Sequence, residues 1–310
     1  FIQSTGDIDY QRITQAHGES FRQLCLDQGN TPATVAKKLR HIKRFFQLAV
    51  ERGQFDRNPL RYVKPPRAPK GKVRVYSGSE RERLLKAAKE FSANSPMAWD
   101  ALIYAALSTG MRRGELLNAT WRDVNFDQMT IEVSPKEDTD ETWEWRIKDA
   151  ERRTLPLTEE LTTMLSRLQA RQPEGHPYVF VPPQEYARIQ GLRRAGKWTY
   201  SHSRLRVIRT FKRDFHQILK TANIEGRTFH DLRRACLSNW LAAGMSEHDV
   251  MALAGHSSFS TTHEFYLAVR TDVVDRARQA ASFWHTFGTR PLFPTKALTT
   301  MTRSCVMVWT

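Results

Sequence analysis

The sequence predicts a mainly α-helical protein with a small antiparallel β-sheet, laid out as two domains. Three observations carry this expectation. Apolar residues recur at helical spacing through 34–50, 98–108 and 229–255. Residues 129–157 instead alternate apolar and polar side chains around a polar turn region, as strands do. The segment KPPRAPKGK, 64–72, combines prolines with positive charge, which forbids helix and favours an extended linker.

Composition narrows the partner. The 310 residues are 40% hydrophobic and 26% charged, ordinary for a globular chain long enough for more than one domain. A formal net charge of +15 and a pI of about 10.0 call for a polyanion, most commonly nucleic acid. Cys25, Cys236 and Cys305 make no CxxC spacing, so neither a zinc site nor a disulfide framework is expected, and reduced thiols are the simplest reading. No carboxylates cluster at metal-ligand spacing and no Walker-type loop occurs, so no metal and no cofactor is expected. No apolar run reaches the length of a membrane span and the N-terminus lacks a signal-peptide layout, so the expected protein is soluble, cytoplasmic and associated with the nucleoid, with no membrane partner. The chain opens on Phe1, so a segment upstream of it is expected to be missing.

Residues 1–63 make the first expected domain, a helical one. Val35, Leu39, Ile42, Phe46 and Ala49 supply a packing stripe from Thr34 to Val50, while Lys37, His41 and Arg44 form a basic stripe elsewhere on that helix. Residues 1–72 hold 14 Lys and Arg against 6 Asp and Glu, so Lys37, Arg40 and Arg44 are expected contacts to a DNA backbone.

The second expected domain spans 73–290. Ser79 is expected to cap a helix from Glu80 to Phe91, and an apolar helix follows from Ala98 to Ser108. In STGMRRGELLNATWRDVNF, 108–126, Gly110 permits a tight turn, Arg112 follows it, and Glu115, Leu116 and Leu117 start the next helix. MTIEV, WEWRI and RRTLPL are the expected strands, and Thr158 caps a helix through Leu168 before a Pro/Gly-rich segment ends in the apolar run YVFV. From Arg188 to Arg213 the chain is strongly basic without an acid, interleaved with Trp198 and Tyr200. So many uncompensated cations repel one another without an anion, so Arg193, Arg194, Lys197 and Arg204 are a second expected backbone-contacting set. A helix is expected over 271–283, and the tail 291–310 shows no usable period.

The most informative stretch is 228–266. His230 and Arg233, at i and i+3, share a face of a helix that runs through Leu237 and Leu241 and stops at Gly244. Ser246, with Asp249 three residues on, caps a second helix that ends at Gly255 and leaves His256 in the following turn. Ser260, Thr261 or Thr262 is expected to cap a third helix carrying Tyr266.

HDLRR, then AGHSS, then a tyrosine ten residues after the second histidine resembles the tyrosine recombinase (lambda-integrase-like, phage integrase) family. Its second box reads His-x-x-Arg, Leu-Gly-His and a nucleophilic Tyr; Ala254 stands where the family carries the Leu. The family's first box, Thr-Gly-x-Arg-x-x-Glu-Leu, is matched by Thr109 to Leu116. The resemblance implies a two-domain DNA clamp, the DNA breaking-rejoining fold, with a SAM-like core-binding domain joined by a linker to a catalytic domain. It implies catalytic roles for Arg112, Lys148, His230, Arg233, His256 and the nucleophile Tyr266, with Glu115 in support. Lys148, eight residues before Pro156, fits the family's hairpin lysine better than Lys136, which sits across the acidic stretch Glu137 to Glu141.

The implied reaction is site-specific recombination of double-stranded DNA through a covalent 3'-phosphotyrosyl link, independent of metal and ATP, by a homotetramer on synapsed sites. Two alternatives stand beside it. One is relaxation of DNA by a type IB topoisomerase, the other an architectural DNA-binding protein without catalysis.

Overall fold

The computed structural model describes residues 1–67, 75–147, 152–259 and 262–263, with backbone alone at 204 and 205. The chain divides into two compact units, Phe1–Lys72 and Val73–Thr310.

The first unit is helical: α1 (Ile2–Thr5), a 3-10 turn (Tyr10–Arg12), α2 (Gln15–Asp27) and α3 (Pro32–Glu51). The Thr31 hydroxyl accepts the Thr34 backbone N–H at 3.3 Å and Pro32 opens α3, a start suited to proline because its missing N–H would have had no helical partner. Val35, Leu39, Phe46 and Ala49 turn inward, and the unit's core also takes Phe21 and Cys25 of α2 with Leu60 and Val63. Lys37, Arg40, His41 and Arg44 lie exposed on the other side of α3, where Arg44 pairs with Glu51 at 2.8 Å.

The second unit begins with α4 (Gly78–Ser92), α5 (Trp99–Thr109) and α6 (Arg113–Leu117). A three-stranded antiparallel sheet follows in the order β1 (Val124–Asn125), β2 (Thr130–Val133), β3 (Arg153–Pro156). Then come α7 (Glu159–Arg171), α8 (Pro183–Arg194), α9 (Tyr200–Leu205), α10 (Phe211–Thr221), α11 (His230–Ala242) and α12 (Glu247–Ala254). Helix α5 is the central element, apolar around most of its girth and buried at Trp99, Ala101, Leu102, Ile103, Ala105 and Ala106. Its Trp99 ring lies 4.9 Å from Phe211 and 6.2 Å from Phe215 of α10, and α11 packs along its side. The sheet pairs Ile131 with Leu155, both buried, so one face closes on the core. Among the described residues no helix is long and apolar enough to cross a membrane.

Two expectations are corrected. Helix α4 is capped by Ser77, not Ser79: the Ser77 hydroxyl accepts from Glu80 N at 3.1 Å and the Glu80 carboxylate accepts from Ser77 N at 2.8 Å, a reciprocal box that only the earlier serine can form. The segment WEWRI is not a strand. Among the described residues its one strand-like pairing is an isolated bridge between Trp145 and Lys136, with Trp143 N–H donating instead to the Tyr178 hydroxyl at 3.1 Å, yet Trp143, Trp145 and Ile147 are all buried. Trp143 stacks on Tyr178 at 3.9 Å and its Nε1 donates to Asn118 Oδ1 at 2.7 Å. The alternation therefore reports side-chain burial of an extended segment, while the acidic residues before it are drawn off by Arg193 to Asp138 (2.7 Å) and Arg122 to Glu141 (2.8 Å). The proposed helix at 271–283, the tail 291–310 and most of the linker lie outside the described residues.

Candidate active site

Three separate segments converge on the C-terminal end of α12. Helix α5 ends at Gly110, whose φ of 65° is left-handed and whose missing Cβ leaves room for Cys236 of α11, 3.3 Å from where that atom would stand. The turn delivers Arg112 to the start of α6. Its backbone N–H and its Nη1 donate to the two oxygens of Glu115 at 2.7 and 2.9 Å, so the carboxylate holds both ends of one residue. Arg153, the first residue of β3, donates Nη2 to Glu115 Oε2 at 2.6 Å.

The last carbonyls of a helix have no partner within it and carry the negative end of its dipole, so they attract cations. In α12 three successive ones each receive a different arginine. Leu253 O accepts Arg153 Nε at 2.8 Å, Ala254 O accepts Arg233 Nη2 at 2.6 Å and Gly255 O accepts Arg112 Nη2 at 2.8 Å. Arg233 also donates Nη1 to Gly110 O at 2.7 Å, which ties α11 to the turn bearing Arg112. Gly255 has φ 61°, and an added Cβ would fall 3.0 Å from Arg153 Nη1 and 3.2 Å from its Cζ. Gly255→Ala therefore combines a left-handed alanine with a clash against a held guanidinium. It is expected to lower unfolding free energy by about 1–2 kcal/mol from the backbone alone, read by urea denaturation, with a larger loss where Arg153 is pushed aside.

The electrostatics favour an incoming anion. Arg112 and Arg153 share the Glu115 carboxylate while Arg233 sits on the neighbouring carbonyls of Gly110 and Ala254, and Arg233 and Glu115 are only 2% and 3% exposed. Burial pushes the Arg233 pKa down to about 10, helped by the positive charge of Arg112, so it stays charged at neutral pH while being poorly solvated. Burial by itself would raise the Glu115 carboxyl, but Arg153 and Arg112 overcome it and hold the pKa below the ordinary carboxylate value. His230 opens α11 at the surface, where partial desolvation and then the charges of Arg233, Arg234 and Arg112 lower its pKa and keep the ring neutral. Asp231 anchors that helix start by accepting Thr228 N at 2.7 Å and the Thr228 hydroxyl at 2.8 Å. His256 follows Gly255, and its Nδ1 lies 2.9 Å from the hydroxyl of the fully buried Thr262.

Of the expected catalytic set, Arg112, Arg233 and His256 with Glu115 are thus gathered around one helix end, and His230, three residues before Arg233 on α11, feels the charges of Arg233 and Arg112; Lys148 and Tyr266 lie outside the described residues. Lys136 is committed elsewhere, its Nζ 2.9 Å from Asp123 Oδ1 and 2.8 Å from Ser134 O in a buried pair. Among the basic residues, Arg194 and Lys197 are exposed, and the side chain of Arg204 is outside the described residues. Arg193 is turned inward: it donates to Gln190 Oε1 at 2.7 Å, to Asp138 and to Thr139 O, so it fastens the acidic loop to α8. Its cationic run carries no acid of its own, but the loop 137–141 supplies one from another part of the chain. The sequence did not single out Arg153 or Asp231, and marked Thr262 only as one of three possible helix caps. The only signal for Arg153 was its place in RRTLPL.

The sequence model of the phage integrase family matches residues 74–272, well over half of the chain. The chain belongs to the phage integrase family. Among curated relatives, it is 28% identical to a XerC-like tyrosine recombinase of Caldanaerobacter subterraneus over 78% of this chain and 64% of that one. It is 26% identical to a putative integrase/recombinase of Haemophilus influenzae over 94% and 68% of the two chains. It thus spans just under two thirds of the first relative's length. Among solved structures it resembles the Tn1549 transposon integrase in complex with a circular intermediate DNA, with a TM-score of 0.64 at 16% identity, covering 91% and 96% of the two chains. A lambda integrase dimer bound to a core site aligns with a TM-score of 0.59 at 18% identity over 87% and 84%. These likenesses establish the phage-integrase fold, and further curated relatives are the tyrosine recombinases XerC of Chlamydia caviae and XerD of Listeria monocytogenes.

Proposed function

We propose that this phage-integrase family member cuts and rejoins double-stranded DNA at specific sites through a covalent link to Tyr266. The observation that carries the reading is a cluster of three guanidinium groups, Arg112 and Arg153 on the Glu115 carboxylate and Arg233 on the adjacent Ala254 carbonyl, ending beside His256: a poorly solvated cationic site that suits a phosphodiester. Arg233 spends two of its five donors on the protein, so three remain to meet non-bridging phosphate oxygens. Charge grows on those oxygens as phosphorus becomes five-coordinate, and fixed donors in a poorly solvated site act most strongly there.

The proposed step balances as follows. The Tyr266 oxygen bonds to phosphorus, the bond from phosphorus to the 5'-oxygen breaks, and the phenolic proton passes to His230. A phenol ordinarily has a pKa of about 10, so it needs a neutral base nearby, and the lowered pKa of His230 supplies one. Lys148 donates a proton to the leaving 5'-oxygen, and His256 hydrogen-bonds the phosphate. Attack by a 5'-hydroxyl of another strand reverses the step and conserves the bond energy. The exposed residues Lys37, Arg40 and Arg44 of α3, with Arg194, Lys197 and Arg204, are proposed to meet the DNA backbone. Full exchange cuts four strands with one nucleophile each, so four copies on two paired sites are proposed, related by cyclic contacts.

Incubation with nicked half-site duplex, followed by a denaturing gel, tests the reading: a protein–DNA adduct retained through denaturation supports it, and none on any site from the flanking DNA removes it. Strand exchange between two duplexes then separates recombination from relaxation alone. Lys136→Met should leave the cleavage rate within about threefold of the parent while lowering the melting temperature, since it removes one partner of a buried ion pair. Lys148→Ala should slow cleavage by a hundredfold or so, an effect of general-acid size. Equal cleavage rates in the two variants would reassign the acid.

A further inference from the structure

The Arg153 side chain is 7% exposed and, unlike Arg112 and Arg233, is given no contact to the reacting phosphate in the chemistry above. Resting on the recombinase reading, we propose that it is a positioning residue for that reaction: one guanidinium sets the placement of both Arg112 and His256. Its Nη2 and the Arg112 backbone N–H converge on the same oxygen, Glu115 Oε2, at 2.6 and 2.7 Å. The other oxygen of that carboxylate receives Arg112 Nη1 at 2.9 Å, so the orientation of Glu115 sets the orientation of Arg112.

The same guanidinium reaches the second catalytic segment. Nε donates to Leu253 O at 2.8 Å, and the group lies against Gly255, the residue before His256, where an added Cβ would stand 3.0 Å from Nη1. Two acceptors in divergent directions need a planar fork, which a lysine lacks. Arg153 Nη1 is buried and, among the described residues, has no hydrogen-bond partner. Buried donors left unmet are costly and buried ion pairs are poor stabilisers, so stability alone is a weak reason for an arginine here. A role in holding two reactive side chains in register accounts for the arrangement, because displacement of a catalytic group by about 1 Å can cost on the order of a hundredfold in rate.

The test compares Arg153→Lys, Glu115→Gln, their combination and the surface control Arg146→Lys, each assayed below its own melting temperature. Two quantities are read: single-turnover adduct formation at saturating nicked DNA, and the His256 side-chain resonance by histidine-selective NMR without DNA. Expected are a loss of roughly 10- to 100-fold in cleavage for Arg153→Lys, half-saturating DNA within about twofold of the parent, and a shifted His256 resonance. The combined variant should be no slower than the slower single one, because both break the same linkage. Arg146→Lys should move neither quantity. Cleavage at the parent rate in Arg153→Lys overturns the proposal, and so does a rate loss with the His256 resonance in place. If Arg153→Lys does not fold, Glu115→Gln reads the same two quantities. If the parent forms no adduct, the recombinase reading fails, and the His256 resonance alone decides the positioning claim.

Discussion

Tyr266→Phe should abolish the protein–DNA adduct while leaving DNA binding within about twofold of the parent. The substitution removes a single oxygen, the atom proposed to bond phosphorus, and leaves the ring, its volume and every cationic side chain in place. Thr262, whose hydroxyl lies 2.9 Å from His256 Nδ1, is fully buried and so a poor substitute. Binding is dominated by sequence-independent neutralisation of phosphates, to which a phenol contributes nothing electrostatic at neutral pH. A denaturing gel on nicked half-site DNA and a mobility-shift titration with the same duplex read the two quantities. An adduct that survives the substitution would falsify the assignment of the nucleophile.

Arg233→Ala should slow adduct formation by about a hundredfold or more, the usual size of losing a donor to developing oxyanion charge. It carries a second effect, which the structure makes explicit. Arg233 holds Gly110 O and Ala254 O at 2.7 and 2.6 Å, so its removal leaves two buried carbonyls without their partner. A loss of about 1.5–3 kcal/mol for each charged hydrogen bond is therefore expected in denaturant unfolding, partly offset because Arg112 and Arg153 lose a repelling neighbour. Arg233→Lys separates the two effects: it keeps the charge and can meet one carbonyl, but it has no fork for two acceptors and a phosphate together. Stability close to the parent with cleavage still reduced at least tenfold is expected for it. Parent-like cleavage in both variants would leave Arg233 as a brace between α11 and the Gly110 turn.

Much of this site was legible as pattern. The spacing of His230 and Arg233, the glycine before His256 and the Thr109–Leu116 box are all local; helices α5 and α11 follow from periodicity, and α7 and α12 also from the caps Thr158 and Ser246, whose side chains lie within a turn of the groups they serve. Ser77 was missed because two serines precede Glu80 and only backbone geometry tells which one reaches it. WEWRI was misread because alternate burial looks the same in a strand and in an extended segment packed by its tryptophans. The basic run 188–213 concealed the inward turn of Arg193, whose anion sits 55 residues earlier in the chain.

Residue type and order along the chain were enough to identify a family and to propose a nucleophile and a cationic set, because those depend on which side chains are present and how far apart they stand. They were silent on the pairing of Arg153, Arg233 and Arg112 with Leu253, Ala254 and Gly255. The acceptors there are backbone carbonyls, which every residue carries alike, and two of the three donors lie 100 and 143 residues from them. Only packing of β3, α11 and the Gly110 turn about the end of α12 brings unsatisfied carbonyls and guanidinium groups within bonding distance, and burial then makes each of those bonds matter.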